Sequence, residues 1–370
     1  MSAFLHNITT AFIALITGVV SFFVPATQTP LPSPEPATST SPIAILTPTT
    51  TSVATEKPET RDVPPLVSAV AAPPPAQNST VIIPNWDNVN ERTRKATINI
   101  ICTSVAGGLF NPISGSGAVI DPRGVILVNA HLAQYLLLKD YPSKDSIECV
   151  GRIGSPAVPR YRLTLLYFPK KWADDHYKEI LEQSPLGTGE NDYALMLITS
   201  TTDPSGTLPS EFPFLETASI ESEAVIGHPV IISAYPAGFL GGTLIQTSLF
   251  LSSAPANIQD VYTFTEDTID LLSLGGSVVA QQGSSGGAVV TGEGKLAGII
   301  VTSSQAPSTN ERDLNAITLS HINRSLKKET GFDLREFLSQ DIRNAAENFA
   351  REEVPVLVKP FVQILQNTTP

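Results

Sequence analysis

Ser285 lies in the run Gly283-Ser284-Ser285-Gly286-Gly287. Glycines carry no Cβ, so backbone can wrap closely around the serine and bring main-chain N–H groups to one point. That is where the oxyanion of an acyl-transfer intermediate would be held, with the N–H groups of Gly283 and Ser285 as the expected donors. A serine hydroxyl is a weak nucleophile at neutral pH and needs a base within hydrogen-bond reach. Histidine suits, because it can take the proton and return it to the leaving group. His131 ends the apolar segment Val128-Asn129-Ala130-His131, and Asp192 stands at the mouth of the apolar run Tyr193-Ala194-Leu195-Met196-Leu197. An aspartate that accepts from the second ring nitrogen would fix the imidazole tautomer and stabilise its charged form. The expected catalytic set is therefore His131, Asp192 and Ser285. A catalytically silent barrel used for binding is the alternative.

To meet, the three residues need elements that bring distant sequence together. Short runs rich in Val, Ile, Leu, Thr and Gly, broken by Gly, Pro, Asn and Asp, give an all-β signature over roughly 86–354, within which 86–325 is the expected folded domain. An entry helix over 86–97 precedes strands at 98–105, 117–120, 125–129, 147–153, 160–168 and 193–198. Asp121-Pro122-Arg123-Gly124 turns the 117–129 hairpin. A second set follows at 229–233, 242–253, 261–265, 270–274, 287–291, 295–301 and 315–318, with Glu293-Gly294 turning another hairpin. Without βαβ spacing, this predicts two six-stranded antiparallel β-barrels packed face to face, about 96–200 and 215–320. His131 and Asp192 fall in the first and Ser285 in the second, so the site and a substrate cleft belong at the junction. The insertion 169–190 either rims that site or is a surface loop. At the C-terminus, 326–370, Asp333 caps a helix whose face runs Leu334, Phe337, Leu338, Ile342, Ala345 and Phe349, packing on the second barrel or a neighbour.

The rest of the chain frames this domain. Residues 8–24 are apolar or neutral, and no Lys or Arg precedes Lys57. The reading for 1–26 is a signal peptide, with small residues near Val24-Pro25-Ala26, or an uncleaved signal anchor in a membrane. Residues 27–85 are Pro-, Thr- and Ser-rich and cannot bury enough apolar surface to order themselves, which reads as a linker or stalk. The expected location is extracytoplasmic, secreted or membrane-anchored. A net charge of −12 with no basic cluster excludes nucleic acid as the expected partner. No Cys/His spacing suggests a metal or other cofactor, and His176, His228 and His321 read as ordinary structural or surface residues. Cys102 and Cys149 both fall in strands of the first barrel and are expected to pair in an oxidising compartment.

Gly115-Ser116-Gly117-Ala118-Val119-Ile120-Asp121 through Leu127-Val128-Asn129-Ala130-His131 resembles the His region of trypsin-like serine proteases of the bacterial HtrA/Deg type. Gly227-His228-Pro229-Val230, Tyr235-Pro236-Ala237-Gly238, Gly283–Gly287 and Asn315-Ala316-Ile317 are similar to that family's second half. The resemblance covers about 90–325 and implies a chymotrypsin-like fold and a serine endopeptidase acting on proteins or peptides. No PDZ-sized module follows, so the regulation and assembly of HtrA proteins are not implied. Ser284, with no Ile-Val-Gly-Gly start, speaks against activation by a freed N-terminus. By resemblance Val279, Val301 and Ser303 bound the specificity pocket, and no acid lies between Gly275 and Gly292. That implies cleavage after small or medium aliphatic residues rather than Arg, Lys or Phe.

Overall fold

The computed structural model describes residues 84–105, 110–182, 189–221, 225–238, 240, 242–264, 267–303 and 313–368. The apolar stretch 8–24 and all of the 27–85 linker but its last two residues lie outside them. Among the described residues no helix is long and apolar enough to cross a membrane.

The chain enters through α1 (Trp86–Ala96), where the Asn85 side chain accepts from Asn88 N–H at 3.1 Å and Arg94 and Lys95 complement the last turn. Six strands then close a barrel: β1 (Thr97–Ser104), β2 (Ile113–Asp121), β3 (Val125–Val128), β4 (Ile147–Ile153), β5 (Val158–Tyr167) and β6 (Ala194–Thr201), ordered β1-β2-β3-β6-β5-β4. Closure leaves no unpaired edge. Inward residues such as Ile100, Ile126, Val128, Leu165 and Met196 fill its interior. The alternate residues Ala118, Val125, Leu127, Leu195 and Leu197 pack against the other half of the protein. Burial on both faces is why these strands read as nearly unbroken apolar runs. Cys102 of β1 is the direct partner of Cys149 of β4, and their sulfurs are bonded.

Between β3 and β4 runs α2 (Ala130–Leu137). Between β5 and β6 lies α3 (Lys170–His176), followed by a 3₁₀ turn over Tyr177–Leu181. These occupy the insertion, whose residues 183–188 lie outside the described set.

The second half is a curled seven-stranded sheet, where six strands in a closed barrel were expected. It comprises β7 (Pro229–Ala234), β8 (Ser252–Asn257), β9 (Asp260–Tyr262), β10 (Leu271–Ser273), β11 (Ala288–Thr291), β12 (Leu296–Ser303) and β13 (Leu314–Thr318), ordered β8-β7-β11-β12-β13-β10-β9. With three residues each, β9 and β10 end the ladder before it returns to β8. The strand expected over 242–253 is instead α4 (Gly242–Thr247) followed by β8. The last carbonyls of α4 are taken by a side chain of the barrel, a partner that local sequence does not reveal.

The C-terminal region is four helices, not one: α5 (Leu319–Thr330), α6 (Leu334–Leu338), α7 (Ile342–Glu352) and α8 (Val354–Thr368). Asp333 and Glu336 make the expected capping box at α6. The face then breaks because Asp341 caps a new helix, accepting from Arg343 N–H at 3.1 Å and Asn344 N–H at 3.2 Å. These last helices turn back onto the first barrel rather than settling on the second half alone. Phe337 and Phe349 meet Tyr167 of β5 with ring centres 6.0 and 6.3 Å apart. Leu357, Phe361 and Leu365 of α8 complete the barrel's own core, and Phe361 packs edge-on to Tyr177 at 6.5 Å.

Candidate active site

His131 is the second residue of α2, and the Asp192 carboxylate holds it at two points. One oxygen accepts the His131 backbone N–H at 2.9 Å, and the other lies 2.7 Å from Nδ1. A carboxylate accepts only, so Nδ1 carries the hydrogen and Nε2 is left as the basic nitrogen. The Asp192 side chain is 1% exposed. Its neighbours are fixed in turn. Asn129 donates its amide to the Asp192 carbonyl at 2.9 Å. Ser325 of α5 donates to the Asn191 side chain at 2.7 Å and receives the Tyr193 hydroxyl at 3.0 Å. Burial pulls the proton affinity of His131 down, but the charge and hydrogen bond of Asp192, with Glu179 adding, outweigh it. The net pKa lies above the ordinary histidine value of 6.5.

The turn carrying Ser285 belongs to the second half yet is fastened to the first. Ser116 of β2, fully buried, donates its hydroxyl to the Gly283 carbonyl at 2.8 Å and accepts from Tyr235 N–H at 2.9 Å. Its own N–H donates to the Ser285 carbonyl at 2.7 Å. The approach is so close that a Cβ on Gly286, whose φ is +82°, would sit 2.0 Å from the Ser116 carbonyl oxygen and 3.6 Å from Asn129 Oδ1. Only glycine fits there. The serine turn thus abuts the residue two before His131.

Around Ser285 the backbone donors divide into two groups. Those of Ser284, Gly286 and Gly287 donate to Gln281, Ile300 and Ser284 carbonyls at 3.2, 2.8 and 2.8 Å. Those of Gly283 and Ser285 donate to no group among the described residues. Two uncommitted N–H groups flanking one serine are what an oxyanion requires. No hydrogen bond joins Ser285 Oγ to the His131 ring in this structure, so the arrangement holds acid and base together and places the serine's turn beside them.

The pocket residues divide. Val279 is fully buried in the core of the curled sheet with Val289, Ala297 and Ile300. Val301 faces the other core with Ile299 and Ile317, and its Cγ2 would lie 3.2 Å from a Cβ on Gly189. The two valines thus belong to different cores. The Ser303 side chain lies outside the described set. Residues with clear positions at the site but no expected role are Ser116, Asn129, Glu179 and Ser325. Of these, only Ser116 had a local signal, a serine between two glycines inside a strand.

The trypsin family model matches residues 105–322. No curated protein matches the chain. Among solved structures, a serine endoprotease from Yersinia pestis is similar at 18% identity and a TM-score of 0.41, over 68% of this chain and 69% of that one. An inactive form of Rv3671c from M. tuberculosis H37Rv is 17% identical, with a TM-score of 0.39, over 70% of this chain and 95% of that one. Deg5 is 13% identical, with a TM-score of 0.41, over 65% of this chain and 90% of that one.

Proposed function

We propose, from the premise that the chain belongs to the trypsin family and is a serine protease, that it is an exported or membrane-anchored endopeptidase working through His131, Asp192 and Ser285. The observation that carries this reading is the two-point hold of Asp192 on His131 next to a serine turn with two uncommitted N–H donors. In the first step His131 Nε2 takes the Ser285 proton as Oγ attacks the scissile carbonyl. The carbonyl oxygen becomes an oxyanion between the Gly283 and Ser285 N–H groups. The imidazolium, steadied by Asp192, then protonates the leaving amine and an acyl-enzyme remains. Water, activated by the same nitrogen, hydrolyses it. Substrates are proteins or peptides. The disulfide between two barrel strands supports an oxidising compartment.

The missing hydrogen bond between Ser285 and His131 favours the second reading, a silent protease-like barrel that binds without cutting. In apo structures such bonds are often loose and tighten only with substrate, so the first reading is preferred. Reaction with a fluorophosphonate probe separates the two. Labelling confined to Ser285 and abolished by His131→Ala is the expected result. A folded protein that resists the probe at neutral pH is the binding module.

A further inference from the structure

At the junction of the two halves, away from the His–Asp pair, lies a buried guanidinium with no acidic partner among the described residues. Arg152 of β4 is 1% exposed. Its Nε donates to Asn99 Oδ1 at 2.7 Å, and its Nη1 donates to the Ile245 and Gln246 carbonyls near the end of α4 at 2.9 and 3.1 Å. Its Nη2 is buried with no partner among the described residues. Enclosing a cation with neither a counter-ion nor all its hydrogen bonds is costly, so a residue of this kind calls for a purpose beyond adhesion.

Its surroundings suggest one. The turn that follows Arg152 is stitched to the segment 235–251 of the second half. Tyr235 Oη donates to the Gly154 carbonyl at 3.0 Å, Ala157 N–H to Leu249 at 2.7 Å, and Leu251 N–H to Ser155 Oγ at 3.2 Å. Ala157, Tyr235, Ala237 and Leu249 form a small core of their own at this seam. The same segment grips the turn before Ser285. Ala237 N–H donates to the Gln282 carbonyl at 2.7 Å. A Cβ on Gly283 would meet the Tyr235 carbonyl at 2.8 Å and Ala237 N at 3.0 Å. The chain of contacts runs from Gly154 through Tyr235 and Ala237 to Gly283, while Arg152 holds the same segment at Ile245 and Gln246.

We infer that Arg152 and Tyr235 are positioning residues for the oxyanion donors: by tying segment 235–251 to the barrel they fix where the Gly283 and Ser285 N–H groups point. This rests on the serine protease reading of the site. The plainer view is that the seam only joins two halves, in which case its loss lowers stability and leaves the chemistry alone.

Arg152→Met keeps much of the bulk and removes the charge, and Tyr235→Phe removes one hydrogen bond and nothing else. The expected result, for a peptide substrate, is a kcat roughly tenfold lower with KM unchanged, because a displaced oxyanion donor weakens only the transition state. Amide hydrogen exchange of the peptide spanning 281–287 should quicken in both variants. If Arg152→Met does not fold, Tyr235→Phe decides. An unaltered exchange rate, or an unaltered kcat, in a variant that folds overturns the inference, whatever its unfolding temperature. Should the wild-type protein fail to react with the fluorophosphonate, the protease reading falls, and exchange at 281–287 alone reports whether the seam holds the turn.

Discussion

Ser284 and Ser285 stand side by side, yet their surroundings oppose one another. Ser284 Oγ is buried without a partner among the described residues, while Ser285 is half-buried at the junction. Ser285→Ala should cut kcat by about 10⁴-fold or more with the fold retained. Ser284→Ala, which removes an unsatisfied buried hydroxyl, should leave turnover and unfolding temperature nearly unchanged. Equal losses in the two would move the nucleophile elsewhere. The raised pKa of His131 has a direct kinetic sign. The base must be neutral, so activity falls as pH drops through that pKa, and the acid limb of kcat/KM should lie above pH 6.5. Glu179 adds to the rise, so Glu179→Gln should move that limb to lower pH, as a pH–rate profile would record. At this scale much was legible, because His131, Asp192 and the glycine turn have side chains or dihedrals that chemistry itself demands. Arg152 was not, because it acts on a partner more than ninety residues away and nothing in its neighbours announces it; Ser116 showed only its two flanking glycines, with no sign of the distant turn it holds.

The elements explain which readings of the sequence held. Strand periodicity marked nearly every rung of the barrel, since burial on both faces wrote apolar residues at successive positions. It failed at 242–253, where an apolar run forms a helix ended by Arg152. It also gave no sign of α5, whose first turn sets His321 against the buried Asp270 that precedes β10. That pair is a self-contained polar knot. Asp270 accepts from His321 Nδ1 at 2.8 Å, Arg324 at 2.7 Å, Thr268 Oγ1 at 2.6 Å and Phe264 N–H at 2.6 Å. Burial works against its charge, yet these donors together hold its pKa far below the usual carboxylate value. A carboxyl depressed in the folded state stabilises above its unfolded pKa, and that contribution fades as pH falls through the folded value. Asp270→Asn should cost about 3 kcal/mol at neutral pH and flatten the acid side of the stability curve, read by denaturant titration across pH. For the substrate, the run 275–292 holds no acid. A buried Arg or Lys side chain of a substrate would find no counter-charge from it. A peptide-library profile should show small or medium aliphatic residues on the acyl side of the cut. Dominance by basic residues would mean that a charge from another element lines the pocket.

For the whole molecule, the two-halves plan was legible and its fastening was not. Hydrophobic pattern reports how deeply a residue is buried but not against what, so the amphipathic C-terminus read as cover for the second barrel or a neighbour. In fact α8 seals the first. Phe361 is fully buried there, and Phe361→Ala should cost roughly 3–5 kcal/mol by leaving a cavity under the insertion, seen as a fall in unfolding temperature. The Cys102–Cys149 bond closes a loop spanning 47 positions. Reduction should remove about 4 kcal/mol in the chain-entropy account, again read from thermal unfolding with and without reductant.

The placement of α8 also has a meaning in time. A ribosome releases the barrel strands first and the helix that completes their core last. Between Thr201 and Val354, at ordinary elongation rates, roughly ten to thirty seconds pass. Throughout that interval the apolar bed on which Leu357, Phe361 and Leu365 come to pack lacks its cover. A newborn chain is thus kept immature until α8 has been synthesised, and a message cut short before Val354 yields a barrel that is complete in strands but unfinished at its core.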